Sequence, residues 1–190
     1  MTWTMPAEFA PQERIWMAFP RVGNTLGDDA ASADEARDTW AAVANAAAGF
    51  QPVTMVVDPS AVAEARTRLS DEIEVVEAPL DDYWMRDIGP TFVLDEHGAL
   101  GAVDWTFNGW GANAWATWER DDRIASTVAG LAGAEHLPRI EQHPLVAQPH
   151  HGPLPLGQPV QFLSCELLVA EREPPVEREQ RVRRQEGRHV

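Results

Sequence analysis

Apolar and polar positions fall into blocks along the first 137 residues, and the blocks read in turn as strands and helices. Residues 15–19 (IWMAF) form a short apolar run closed by Pro20, which predicts a strand. Residues 32–49 are rich in alanine. Ser32 followed by Glu35 makes a capping-box pattern and Gly49 supplies a stop, so a helix is predicted there. Residues 52–57 (PVTMVV) predict a buried strand, residues 60–69 a second helix capped by Ser60, and residues 73–78 a third strand. A polar loop over 80–90 follows. Residues 91–95 and 99–107 predict two strands joined by the turn Glu96-His97-Gly98, a hairpin. Residues 118–131 predict a helix ended near Gly133. Strands alternating with helices imply an α/β protein. The hairpin's antiparallel pairing separates it from a plain doubly wound sheet. No glycine-rich phosphate loop follows a strand, so no nucleotide cofactor is expected.

The pattern breaks after Leu137. The first 137 residues hold 23 acidic and 8 basic residues, for a net charge of −15, whereas the remaining 53 hold 7 of each. All eight tryptophans lie between Trp3 and Trp118, and four of the six histidines lie in the tail with a crowd of prolines. The expected organisation is therefore one domain over 1–137 and a divergent Pro/His/Arg-rich tail over 138–190, largely irregular or disordered. Within that tail, residues 160–170 (VQFLSCELLVA) fit one strand or a short helix.

Composition narrows the partners. A net charge of −15 argues against nucleic acid, which requires a basic face, and mildly favours a small cation. No apolar run approaches the roughly 20 residues that span a bilayer, and the N-terminus lacks the pattern of a signal peptide. The single cysteine, Cys165, excludes an internal disulfide. A cytoplasmic location is expected. Every basic residue is arginine, which reads as coding bias.

The densest set of chemistry-bearing residues is the loop DDYWMRDIGP at 81–90. A carboxylate presents two oxygens to the two parallel N–H donors of a guanidinium, and an adjacent indole offers a face to a cation. Asp87 and Trp84 supply that pair, and Gly89-Pro90 is expected to make a turn that aims them. Arg86 and Asp87 fit an ordinary surface ion pair equally well, and Trp84 fits a core position.

The segment WMRDIGPTFV (84–93) resembles the signature of agmatine deiminases and the related bacterial-type peptidylarginine deiminases. MPAEFAPQERIWMAFP (5–20) and GAVDWTFNGWG (101–111) resemble that family's opening and its next block, in the same order. The resemblance covers about residues 3–137. It implies part of a five-bladed α/β propeller, the pentein-like fold of guanidino-group-modifying enzymes, here truncated. It also implies hydrolysis of agmatine to N-carbamoylputrescine and ammonia, with no metal or organic cofactor. In such enzymes a cysteine thiolate attacks the guanidinium carbon, a histidine serves as acid and base, and carboxylates hold the nitrogens. Asp87 matches the first guanidinium-binding aspartate and Trp84 a tryptophan lining the substrate site. Trp105, Phe107, Asn108 and Trp110 are expected in the core and pocket wall, and Glu13 and Arg14 as buried polar residues.

The family's later motifs, a Glu-Gly-Gly segment, a Gly-His-x-Asp segment and a glycine-rich stretch bearing the nucleophile, have no counterpart in the tail. Cys165, in the apolar run QFLSCELLV beside Glu166, lacks the cation or helix start that lowers a thiol pKa, so an inert cysteine is expected. His143, His150 and His151 match no ligand spacing and read as loop residues, with no metal expected. A frameshift in GC-rich coding DNA near residue 138 would account for the tail, and reading the other two frames beyond codon 137 tests it. Three functions compete: a deiminase by descent that is inactive as a fragment, a guanidinium-binding or interaction module completed by a second chain, and an enzyme acting through Cys165. A partial propeller is expected to leave strand edges and tryptophans uncovered, to be marginally stable and to self-associate.

Overall fold

The computed structural model describes residues 2–7, 9–26, 29–140 and 168–169. Its elements in chain order are β1 (Trp3–Thr4), β2 (Ile15–Ala18), α1 (Ala30–Ala48), β3 (Val53–Val57), α2 (Val62–Arg68), β4 (Glu74–Glu77), α3 (Met85–Ile88), β5 (Thr91–Asp95), β6 (Leu100–Val103), α4 (Gly109–Ala112), α5 (Ile124–Ala132), β7 (Glu135–His136) and β8 (Leu168–Val169).

Two four-stranded sheets form, in the orders β4-β3-β2-β8 and β1-β5-β6-β7. In the first, β2, β3 and β4 are parallel, with Ile15 opposite Val53 and Thr54 opposite Glu74. Strand β8 pairs antiparallel with β2. It falls within the 160–170 run, and the rest of that run lies outside the described residues. Side chains alternate across the first sheet with the strand period of two. Ile15, Met17, Val53, Met55 and Val57 face one way, onto Ala41 and Ala44 of α1 and Ala65 of α2. Trp16, Ala18 and Val56 face the other way, onto Phe92, Leu100 and Ala102 of the second sheet and Ile124 and Val128 of α5. Strands β2 and β3 are buried on both faces, which is why they read as near-continuous apolar runs interrupted only by the buried Thr54 of β3.

The second sheet is built on the predicted hairpin. Strands β5 and β6 are antiparallel, with Thr91 opposite Val103. The backbone amides of His97 and Ala99 close the turn on the Asp95 carboxylate at 2.8 and 2.7 Å. Mixed α/β architecture and antiparallel hairpin therefore agree with the sequence. The second strand stops earlier than expected, at Val103. Strands β1 and β7, each two residues long, had no readable pattern.

Helix starts are corrected by one feature. Helix α1 begins at Ala30, and its cap is Asp29, whose carboxylate accepts from the amides of Ala31 and Ser32 at 3.2 Å each. Two carboxylate oxygens satisfy two amides where the Ser32 hydroxyl would satisfy one, so the cap moves outward. Likewise Asp58, not Ser60, caps the second helical segment, which opens as a 3-10 turn over Pro59–Ala61 before α2. Gly133 ends α5 in the left-handed region (φ 65), as the sequence predicts. Glu13 is exposed rather than buried. Arg14 is partly exposed, ion-paired with Glu74 and hydrogen-bonded to the buried Thr54.

Candidate functional site

The 80–90 loop leaves β4 and meets two carboxylates supplied by distant segments. The Leu80 amide donates to Asp58 Oδ2 at 3.0 Å, and Arg21 donates to the Leu80 carbonyl. The amides of Asp81 and Asp82 then donate to the two oxygens of Asp121 at 2.7 and 2.9 Å. In return the Arg120 amide donates to Asp81 Oδ2 at 2.8 Å. Loop and 3-10 turn (Asp121–Arg123) thus clasp each other through backbone amides and carboxylates. Asp121 is 0% exposed. Burial pushes its carboxyl up to about 7, opposed by the two amides and reinforced by the charges of Asp81 and Asp82.

Beyond the clasp the chain makes the single turn α3 and passes through an extended Gly89 into β5. The turn expected at Gly89-Pro90 is absent, because a residue before proline is driven into extended backbone and the helix ends there instead. Met85 and Ile88 anchor α3 in the core at 2% exposure each, which turns Arg86 and Asp87 outward.

Asp87 stands open to solvent on one side, yet the protein around its carboxyl raises the pKa above the ordinary value. A hydrogen bond from Trp110 and the charge of Arg86 act the other way. Trp84 precedes α3 and is half-buried. Its ring stacks on Tyr83 (centroids 5.0 Å, 26°) and meets the edge of Trp40 at 5.7 Å. Its Nε1–H donates to Thr25 Oγ1 at 3.0 Å. Asp82 is 1% exposed, with burial raising its carboxyl. Beside it, burial and the Asp82 charge push the Tyr83 hydroxyl up to about 12.

The 108–112 segment forms the other side of the site. Gly109, Trp110, Gly111 and Ala112 all have positive φ, at 62, 57, 102 and 56. Segment α4 is therefore a left-handed turn and not an α-helix; Asn108 Oδ1 holds it by accepting from the Gly111 amide at 2.8 Å, and Asn113 closes it by donating to the Trp110 carbonyl at 2.9 Å. Trp110 packs edge-on against Phe107 at 5.1 Å and stacks on Trp115 at 5.7 Å. Phe107 is core, Trp105 hydrogen-bonds Thr91, and Asn108 is a turn residue rather than pocket wall. A Cβ on Gly109 would sit 2.4 Å from the Trp118 ring. Gly109→Ala is therefore expected to destabilise the chain by about 2 kcal/mol, combining left-handed strain with overpacking. Chemical denaturation measures this, and an unchanged midpoint would refute it.

The structure gathers Trp84, Asp87, Tyr83, Trp40 and Trp110 around one loop, with Asp81, Asp82 and Asp121 beneath it. Cys165, His143, His150 and His151 lie outside the described residues. Among the described residues no group of three His, Cys, Asp or Glu side chains is placed to hold a metal ion. No described helix is long and apolar enough to cross a membrane. Thr25 and Asp121 were not found from sequence, because their partners lie 57 and about 40 residues away and no local pattern encodes such contacts. Chemically the arrangement suits a planar cation: an outward carboxylate beside aromatic faces on a backbone-anchored loop.

Comparison with known proteins identifies the family. A family model for Porphyromonas-type peptidyl-arginine deiminase matches residues 4–148. A Streptomyces coelicolor protein assigned as an agmatine deiminase is 55% identical over 137 residues, covering 72% of this chain and 40% of that protein. The agmatine deiminase of Stutzerimonas stutzeri is 46% identical over 128 residues, covering 65% of this chain and 34% of its own length. Among solved structures, the agmatine deiminase of Enterococcus faecalis superposes with a TM-score of 0.65 at 34% identity, over 70% of this chain and 37% of that one. The chain thus spans two fifths or less of the length of these relatives. By the extent of the family match and the order of its motifs, the chain belongs to the peptidyl-arginine deiminase family that includes the agmatine deiminases.

Proposed function

We propose that this chain is the front part of an agmatine-deiminase-type guanidine hydrolase, and that it binds the guanidinium end of agmatine without turning it over. The observation that carries the reading is the placement of Asp87. It is an outward carboxylate on the single turn that follows Trp84, hydrogen-bonded by Trp110, on a loop fixed by the Asp121 clasp. The complete reaction would add water to the guanidinium carbon and expel ammonia, leaving N-carbamoylputrescine. That chemistry needs a thiolate and a general acid–base beside the carbon. The cysteine of this chain, Cys165, has neither a neighbouring cation nor a helix start in its sequence surroundings. In this proposal residues 1–137 are the deiminase part and residues 138–190 a divergent tail.

The decisive experiment pairs a titration with an assay. Purified chain is titrated with agmatine and with 1,5-diaminopentane, a dication of similar length lacking the guanidinium, while ammonia release is followed. Expected are weak agmatine binding, at least about tenfold weaker diamine binding because the forked hydrogen bonds are lost, and no ammonia. Equal binding of both compounds would reduce the site to charge attraction. Ammonia release would refute the inactive-fragment reading.

A second reading, a binding module completed by another polypeptide, draws on one observation. Of the eight tryptophans only Trp16 is fully buried, and Trp110 and Trp115 are 37% and 57% exposed beside the site. Those rings suit cover by a partner or by a second copy of the chain.

A further inference from the structure

The indole of Trp84 is tied to a part of the chain outside its own loop. Its Nε1–H donates to Thr25 Oγ1 at 3.0 Å, and the Thr25 hydroxyl donates to Asp82 Oδ2 at 2.5 Å. The direction of this relay is forced. An indole N–H only donates, so it takes a lone pair of the hydroxyl and leaves the single hydroxyl proton for the carboxylate. The carboxylate end is charge-assisted and correspondingly short.

Its anchor is held on several sides. Asp82 is 1% exposed, its Oδ1 accepts from the Tyr83 amide at 3.0 Å, and its own amide is held by Asp121 Oδ2 at 2.9 Å. Stacking on Tyr83 and edge contact with Trp40 constrain the Trp84 ring on two sides. Neither contact fixes rotation within the stack. The directional bond to Thr25 does, because only one rotation of the ring points its single N–H at the hydroxyl.

We propose that Thr25 is a positioning residue, whose hydroxyl sets the orientation of the Trp84 indole by linking it to the buried Asp82. This rests on reading the 84–87 turn as the guanidinium site, where the Trp84 indole, three residues before Asp87, would present its ring to a planar cation. Thr25 acts through Trp84 and needs no contact with ligand. The requirement is for a hydroxyl: serine meets it, and valine, of almost the same shape, does not.

The test uses the full chain and two readouts. In 1H–15N spectra the Trp84 indole resonance is assigned by its disappearance in Trp84→Phe. In the unaltered chain its proton is expected to exchange with solvent at least about tenfold more slowly than that of the exposed Trp115, as a hydrogen-bonded donor should. In Thr25→Val the resonance shifts and this protection is lost, and in Thr25→Ser both return. Agmatine binding is expected to weaken about fivefold in Thr25→Val, the size of one lost net hydrogen bond. It stays near the unaltered value in Thr25→Ser, and Thr25→Val costs nothing further in the Trp84→Phe background.

A Trp84 indole that exchanges as fast as Trp115 in the unaltered chain overturns the proposal even if the valine variant does not fold. So does an unmoved resonance in Thr25→Val, a serine variant that fails to restore it, or an agmatine affinity indifferent to Thr25→Val. Absence of agmatine binding by the unaltered chain defeats the guanidinium reading instead, and the exchange measurements still decide the role of Thr25.

Discussion

Asp121→Ala is expected to remove about 4 kcal/mol of unfolding free energy at pH 5, because two buried backbone amides lose their acceptor together and each stranded donor costs about 1–3 kcal/mol. Those amides belong to Asp81 and Asp82, at the entry to the site loop. Loss should therefore be local as well as global, with the loop and the 3-10 turn opening first. The pH dependence gives the effect a signature. The Asp121 carboxyl lies at about 7 in the folded chain and at its ordinary 3.8 when unfolded. The folded state thus holds a proton that the unfolded state releases. The stability this group contributes is full below pH 3.8 and is lost as pH rises toward about 7. The gap between unaltered chain and variant should narrow from pH 5 to pH 8. Urea denaturation at both values measures it; a gap that widens with pH would show that the carboxylate is a stabilising anion there. Asp121→Asn, which keeps one acceptor and turns an N–H against the other amide, should fall between the two.

Asp87→Asn is expected to weaken agmatine binding about thirtyfold or more, the equivalent of a charge-assisted hydrogen bond of about 2 kcal/mol. The fold should not change, since Asp87 faces outward while Met85 and Ile88 do the anchoring. Protonation of the native carboxyl should mimic the substitution. Because the protein around Asp87 raises its pKa above the ordinary value, affinity should begin to fall at a higher pH than for a free aspartate and should continue to fall as the solution is acidified. Calorimetric or NMR titration between pH 8 and pH 4 follows both arms. An asparagine variant that binds like the unaltered chain, or an affinity flat across that range, would remove Asp87 from the site.

Asp87 and Trp84, the residues proposed for the site, share a contiguous motif whose chemistry can be read without knowing the fold. The hairpin was legible for a similar reason: Asp95, His97 and Ala99 make their contacts within five residues. What was lost is whatever depends on chain segments meeting. Asp121 carries no local sequence signal and is a fully buried acceptor. Thr25 lay in an unpatterned stretch between β2 and α1. Strand β1 pairs two residues with β5, too short to leave a period. Ser32 misled for a different reason. Its spacing to Glu35 satisfies a capping rule, but the two alanines before it extend the helix back to a stronger cap at Asp29.

Strand β1 also sets an order of events during synthesis. Its partner positions, Trp3 opposite Asp95 and Thr4 opposite Leu94, stand some ninety residues downstream. At about 5–20 residues per second, roughly 5–20 s pass before the ribosome has made that partner. The parallel layer of β2, β3 and β4 can close earlier, since its last partner is Glu77. The residues of β1 are therefore made well before their partner and are among the last of this region to find their place, and Trp3 must wait uncovered while everything between it and the hairpin is made.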